Sequence, residues 1–310
     1  VKVIVTGGAG FIGANLCRTL VATPGIDEVV ALDDLSSGSR ANLDDVDGVR
    51  LVEGSILDTG VLEEVVDGAG AIVHLAARPS VPRSIVDPVA SHEANATGTL
   101  RVLEAARHHG GPTVVVASSS SVYGANPELP KHEGLVPMPV SPYAVSKLAT
   151  ESYALAYAHS YGLPTLAFRF FNVFGPLQAP GHAYAAVIPA FLDAALRGEP
   201  LCVHGDGGQT RDFTYVGTVC SVLAEAALRP VTAPRPVNLA FGTRVSLLEV
   251  IDLLEEQLGH SVERRHTEPR VGDVRDSQAD QTALRALFPD VQPVPLAEGL
   301  ATTIDWFRGR

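Results

Sequence analysis

Short β-branched runs alternate with stretches of helical spacing through the first half of the chain. VKVIVTG at 1–7 reads as a buried strand, FIGANLCRTLVAT at 11–23 as a helix, and EVVALDD at 28–34 as a second strand. VRLVEGS (49–55), AIVHLAA (71–77), TVVVASSSS (113–121) and PTLAFRFFN (164–172) continue the series. Helical segments lie between them, such as SHEANATGTLRVLEAARHH (91–109) and YAVSKLATESYALAYAHSYG (143–162). Strict alternation of strand and helix predicts an α/β architecture, a parallel sheet covered on both faces. After about residue 172 the pattern loosens. GPLQAPGHAYAAVIP is a Pro/Gly-rich loop entering a helix, and RRHTEPRVGDVRDSQAD is a polar loop rich in arginine. We expect residues 1–172, joined by part of 213–240, to form the large domain. Residues 173–310 should form mainly a smaller α/β lobe, with a cleft between the two.

The chain has 310 residues, enough for a sizeable core and two structural parts. Hydrophobic residues make up 46% and charged residues 19%, an ordinary globular balance. The formal net charge of −12 argues against nucleic acid or an anionic membrane surface as the main partner. Cys17, Cys202 and Cys220 are scattered, with no metal-ligand spacing, so buried reduced thiols are expected and no metal site. No apolar run reaches membrane-spanning length, and the first residues read as a strand rather than a leader, which suggests a cytoplasmic protein.

Within that frame VTGGAGFIG places Gly7, Gly10 and Gly13 between a strand and a helix. Glycine lets the backbone turn tightly and approach a diphosphate, whose charge a helix N-terminus stabilises. Asp33 ends the second strand twenty residues beyond Gly13, where a carboxylate holds ribose hydroxyls and repels a 2′-phosphate. Asp34 adds to that repulsion. These features predict a Rossmann-type doubly wound sheet that binds NAD rather than NADP.

SPYAVSK then sets Tyr143 and Lys147 four residues apart, on one face of a helix. An ammonium and a cationic nicotinamide near a phenol favour the phenolate, which makes tyrosine a usable base near neutral pH. SSSSVYG, at the end of a strand, supplies hydroxyls between the glycine loop and the Tyr/Lys pair.

GGAGFIG, HLAA, SSSSVYG, SPYAVSK, RFFNVFGP and GDGGQTRDF occur in order over most of the chain. Together they resemble the extended short-chain dehydrogenase/reductases that act on nucleotide sugars, and most of all the UDP-hexose 4-epimerases. The resemblance implies that Tyr143 takes the proton of the sugar C4 hydroxyl while NAD accepts the C4 hydride. The 4-keto sugar then turns over, and hydride returns to its other face. It implies a catalytic role for Ser119, with Ser120 the next choice in the serine run. Cofactor contacts carried over are Gly7, Gly10, Phe11, Ile12, Gly13 and Asp33, then Ser55, Ile56, Leu75, Ala76, Ala77 and Asn95, and finally Ser118, Tyr143, Lys147 and Phe170. Ser55 stands where relatives commonly have an aspartate near the adenine amino group, which predicts weaker adenine selectivity.

For the substrate the resemblance points to Ser80, Ser119, Ser120, Phe171 and Asn172. Asn172 leans toward a neutral hexose, since glucuronate 4-epimerases often have threonine there. Ala186, Val187, Cys202 and His204 match segments that frame uracil. Arg211 and Arg270 match arginines that grip the diphosphate, for which guanidinium forks are suited. Asp273 matches a residue on the uridine ribose. Ser277 aligns with a position beside the C2 substituent that is often tyrosine in strict glucose/galactose epimerases, so serine leaves room for an N-acetyl group.

Dehydratases of this group carry Asp-Glu after the catalytic serine or threonine, and UDP-glucuronate decarboxylases place a glutamate nearby. Here Ser120 and Ser121 follow Ser119, which favours epimerisation. Three readings stay open: an isomerase on UDP-glucose and UDP-N-acetylglucosamine, another nucleotide-sugar epimerase or dehydratase (UDP-glucuronate included), and a non-catalytic NAD-binding protein. The helices at about 92–109 and 143–161 suggest a homodimer, because relatives pair them in a four-helix bundle.

Overall fold

A computed structural model describes residues 1–180, 186–268 and 275–309. Its strands are β1 (Lys2–Thr6), β2 (Glu28–Asp33), β3 (Val49–Glu53), β4 (Ala71–His74), β5 (Thr113–Ser119), β6 (Thr165–Phe170), β7 (Asn172–Phe174), β8 (Leu201–His204), β9 (Thr210–Arg211), β10 (Phe213–Tyr215), β11 (Val237–Leu239), β12 (Val245–Ser246) and β13 (Arg264–Thr267). Seven of them form one parallel sheet in the order β11-β6-β5-β4-β1-β2-β3. The order reverses between β1 and β4. The loops after these two strands leave in opposite directions and open a crevice at their carboxyl ends.

The helices follow as α1 (Phe11–Val21), α2 (Thr59–Val66), α3 (Val81–Val86), α4 (Pro88–His92), α5 (Gly98–His108), α6 (Pro142–Tyr161), α7 (Val187–Leu196), α8 (Val216–Leu228), α9 (Leu247–Leu258), α10 (Thr282–Leu287) and α11 (Leu296–Arg308). The central strands are continuous apolar runs because both faces are covered. On one face Leu16 and Leu20 of α1 and Val219 and Leu223 of α8 close over Val3, Val5 and Val115. On the other, Leu62 of α2, Val102 and Leu103 of α5 and Ala154 of α6 cover Ile4, Ile72 and Val114. A third core joins α7, α9 and α11 to the parallel pair β8–β13. Among the described residues no helix is long and apolar enough to cross a membrane.

One element differs from the expectation. The helix read over 92–109 is interrupted: α4 ends at His92, a π-turn runs from Glu93 to Thr97, and α5 begins at Gly98. The Asn95 carbonyl accepts from the hydroxyls of Thr99 (2.5 Å) and Thr150 (3.2 Å). Its amide grips the Arg78 backbone. Long-range polar bonds to one asparagine thus override the helical period, as π-turns at functional sites often do.

α6 is anchored at both ends. Ser141 caps Ala144 N–H at 3.2 Å, Pro142 occupies the first turn, and Gly162 ends the helix in a left-handed conformation. In its middle, Glu151 pairs with Arg169 of β6 at 2.6 and 3.0 Å and accepts from Ser118 Oγ at 2.7 Å; both charged side chains are 3% exposed. Losing one partner would strand the other charge in the core. Glu151→Ala should lower the unfolding free energy in urea by about 3–5 kcal/mol. Arg197→Ala, which opens a surface pair with Asp193, should cost under about 1 kcal/mol.

Candidate active site

The turn from β1 into α1 is built around close backbone approach. Gly7 has φ +71°, and a Cβ on Gly13 would lie 2.1 Å from the Gly7 carbonyl oxygen. Gly8, which was not singled out from the sequence, is equally constrained: a Cβ there would meet that of Ala31 at 2.5 Å. α1 starts at Gly10 with no side-chain cap, so its first-turn N–H groups stay available to an anion. Asp33 braces the loop. Its carboxylate accepts from Ala9 N–H and Leu35 N–H, each at 2.9 Å, and burial pushes its pKa up.

A cavity of about 870 Å³ opens over this loop. At one end it is lined by Asp33, Asp34, Ser55 and Ile56; at the other by Ser118, Ser119, Tyr143, Lys147, Phe170 and Phe171. Gly7, Gly10, Phe11, Ile12, Gly13, Leu75, Ala76 and Ala77 line the stretch between. A carboxylate for ribose hydroxyls, uncapped helix amides for a diphosphate and a reactive phenol follow one another along one trough. Arg78 and Arg83, which the sequence reading passed over, line it too. This donor set fits a dinucleotide.

Asn95 does not line that cavity. Its side chain is occupied by Arg78 N–H (2.7 Å), the Arg78 carbonyl (3.2 Å) and Ser146 Oγ (2.9 Å), so it braces the loop after β4.

Tyr143 sits in the first turn of α6, where helix N–H groups lack partners. Its N–H finds one in Ser84 Oγ at 3.0 Å, and its carbonyl accepts from Ser146 Oγ at 2.8 Å. The phenol hydrogen-bonds Ser119, whose Oγ also accepts from Ser121 N–H and Oγ. Lys147 is 5% exposed and donates from Nζ to the Ala117 carbonyl at 2.8 Å. Burial pulls its pKa down to about 8. Without a cofactor, the chain's own field raises the Tyr143 pKa: burial pushes it up, and only the Ser119 hydrogen bond opposes this.

A search against protein families matches residues 3–240 to the NAD dependent epimerase/dehydratase family. The chain belongs to this family. It is an NAD-dependent nucleotide-sugar epimerase/dehydratase. It is 38% identical to the UDP-glucose 4-epimerase of Mycolicibacterium smegmatis over 100% of this chain and 99% of that one. The UDP-N-acetylglucosamine 4-epimerase structure from Methanobrevibacter ruminantium superposes with a TM-score of 0.93 at 33% identity, covering 99% and 98% of the two chains. A dTDP-glucose 4,6-dehydratase from Streptomyces venezuelae, solved with NAD, gives 0.91 at 34%, covering 100% and 98%.

Of the residues expected to contact the substrate, Ser80, Ser120, Asn172, Ala186, Val187, Cys202, His204, Arg211 and Ser277 do not line this cavity. Ser80 caps α3, Ala186 and Val187 open α7, and Cys202 and His204 on β8 contact Thr267 at 3.8 and 2.8 Å. Asn172, Arg211 and Ser277 converge on Thr210–Asp212. Arg270 and Asp273 lie outside the described residues.

The lysine gives a signed prediction. Between about pH 8 and 10.5 the folded protein holds fewer protons at Lys147 than the unfolded chain does, so stability rises with pH across that window. Below it the buried ammonium costs roughly 3 kcal/mol. Lys147→Met should therefore gain stability relative to wild type at pH 7, and the gain should shrink toward pH 10. Urea denaturation of both proteins, stripped of cofactor, at pH 7, 8, 9 and 10 measures this.

Proposed function

We propose that the protein is a UDP-hexose 4-epimerase that interconverts UDP-glucose and UDP-galactose and also takes UDP-N-acetylglucosamine and UDP-N-acetylgalactosamine. One observation carries the reading. The carboxylates lining the cavity among the described residues are Asp33 and Asp34, both at the ribose end. A dehydratase must remove water across C5 and C6 of the sugar, which takes an acid and a base beside the reacting carbons. The reactive end has instead Ser119, Tyr143 and Lys147, a set suited to moving one proton at one oxygen.

In this reading Tyr143 Oη accepts the C4 hydroxyl proton as the carbonyl forms, and returns it when the carbonyl is reduced from the other face. Ser119 Oγ holds the C4 oxygen beside the phenol. NAD, when bound, supplies the acceptor for the C4 hydrogen and a positive charge that favours the phenolate. The chain alone raises the Tyr143 pKa, so proton abstraction is tied to a loaded cofactor. Phe170 and Phe171 give the keto sugar an apolar wall on which to turn. Ser277 leaves the C2 side open to an N-acetyl group.

A second reading, UDP-glucuronate 4-epimerase, has Arg83 in its favour. It lines the cavity one residue from Ser84, which holds the Tyr143 N–H. A guanidinium there suits a hexuronate carboxylate. We also propose a homodimer through the helical stretches 92–109 and 143–161, the second of which exposes Val145, Tyr153 and Tyr161; light scattering that gives a monomer mass would remove this.

An NMR time course with UDP-galactose, UDP-N-acetylgalactosamine and UDP-glucuronate in separate tubes, without added reductant, tests the reading. Turnover of the first two to their C4 epimers is expected. Glucuronate turnover alone would favour the second reading, and no turnover of any with NAD bound would point to another nucleotide sugar or to a non-catalytic protein. Tyr143→Phe should lower kcat by about 10²–10⁴. Ser277→Tyr should remove N-acetylhexosamine turnover and leave UDP-galactose turnover; equal activity of wild type and variant on both sugars would refute the role given to Ser277.

A further inference from the structure

Asp212 is a buried carboxylate that the chemistry above does not use. It is 0% exposed. Oδ2 accepts from Gly242 N–H at 3.1 Å and Ala279 N–H at 3.0 Å, and Oδ1 from Thr243 Oγ1 at 2.8 Å. Its carbonyl oxygen accepts twice from Asn172, from the backbone N–H and from Nδ2, both at 3.2 Å. One residue thus ties together the start of β7, the β9–β10 junction, the turn after β11 and the segment after residue 275.

Those segments carry three of the residues read as contacting the nucleotide sugar. Asn172 hangs on the Asp212 carbonyl. Arg211 is its neighbour, and donates from Nη1 to the Thr210 and Arg275 carbonyls at 2.8 and 3.1 Å. Ser277 lies two residues before Ala279, and its N–H donates to the Thr210 carbonyl at 3.1 Å. Among the described residues all the donors facing the carboxylate are neutral, and none forms an ion pair with Asp212. Burial raises its pKa to about 6 while these hydrogen bonds oppose the rise, which leaves it ionised and accepting at neutral pH.

We propose that Asp212 is the positioning residue of the nucleotide-sugar side: its carboxylate fastens the turn after β11 and the segment that carries Ser277 to the β9–β10 junction, where its carbonyl receives Asn172 and Arg211 is its neighbour, and it has no part in holding NAD. The assignment rests on the substrate reading above. It predicts a division that general loosening of the fold would not produce. Asp212→Asn presents an amide N–H₂ to a site filled with donors, and so breaks at least one bond in the hub. The trough of Gly7–Gly13, Asp33 and Tyr143 shares no hydrogen bond with it.

The test measures binding of UDP and of NAD by calorimetry, together with kcat and KM for UDP-galactose. Asp212→Asn should weaken UDP and raise KM by about tenfold or more, with NAD affinity and kcat close to wild type. Thr243→Val removes only the hydroxyl bond and should give a smaller change of the same kind, so the assignment stays testable if Asp212→Asn does not fold. Equal UDP affinity in wild type and both variants would overturn it, as would a parallel loss of NAD affinity. If wild type binds no UDP, the substrate reading fails and this assignment fails with it.

Discussion

An ammonium ion held almost out of water, with a backbone carbonyl as its partner, is a costly requirement on which the reactive end depends. Lys147 has one backbone carbonyl as partner and a pKa drawn down by burial. A group in that position relaxes toward solvent unless the helix carrying it is fixed. α6 is fixed by bonds that reach well beyond the helix: Ser84 on Tyr143 N–H, Asn95 through Ser146, and Glu151 to Arg169 and Ser118. Four of the seven buried residues of α6 are polar: Ser146, Lys147, Thr150 and Glu151. Its stability comes from matched hydrogen bonds as well as from apolar packing, and each match also holds Tyr143 in place.

The trough is electrically asymmetric, which suits a chain of net charge −12 to a cofactor with an anionic diphosphate. Negative charge is confined to Asp33 and Asp34, where hydroxyls are wanted. The diphosphate position meets uncapped amides, which attract an anion without a formal charge. The reactive end meets Lys147. Formal charge and local field differ in sign along the same cavity, so the whole-molecule charge informs the choice of macromolecular partners and not of small ligands.

What the sequence made legible follows from how local each signal is. The strands, the glycine turn, Asp33 and the Tyr143–Lys147 pair depend on residues within one turn or one βα unit, and the structure places them together. The π-turn was not legible, because Asn95 is bent out of the helical period by partners such as Ser146, 51 residues away. Arg78 and Arg83 were missed since nothing in their spacing marks which arginine faces a cavity. Asp212 was not singled out, because its bond to Ala279 spans 67 residues. The direction of the Tyr143 pKa in the chain alone was not legible either, because spacing shows that two side chains are neighbours while the balance between burial and attraction depends on what surrounds both.

The two ligand sides are therefore built on different principles. The NAD side is a rigid turn in which added Cβ atoms would come within 2.1–2.5 Å of existing atoms, so its geometry is set by exclusion. The side proposed for the sugar is assembled from separate segments that meet at Asp212, through its carboxylate and its backbone carbonyl, so its geometry is set by attraction and can be altered by removing a hydrogen bond. Specificity is then expected to reside in residues such as Ser277 and Arg83, and chemistry in the contacts that bury Lys147.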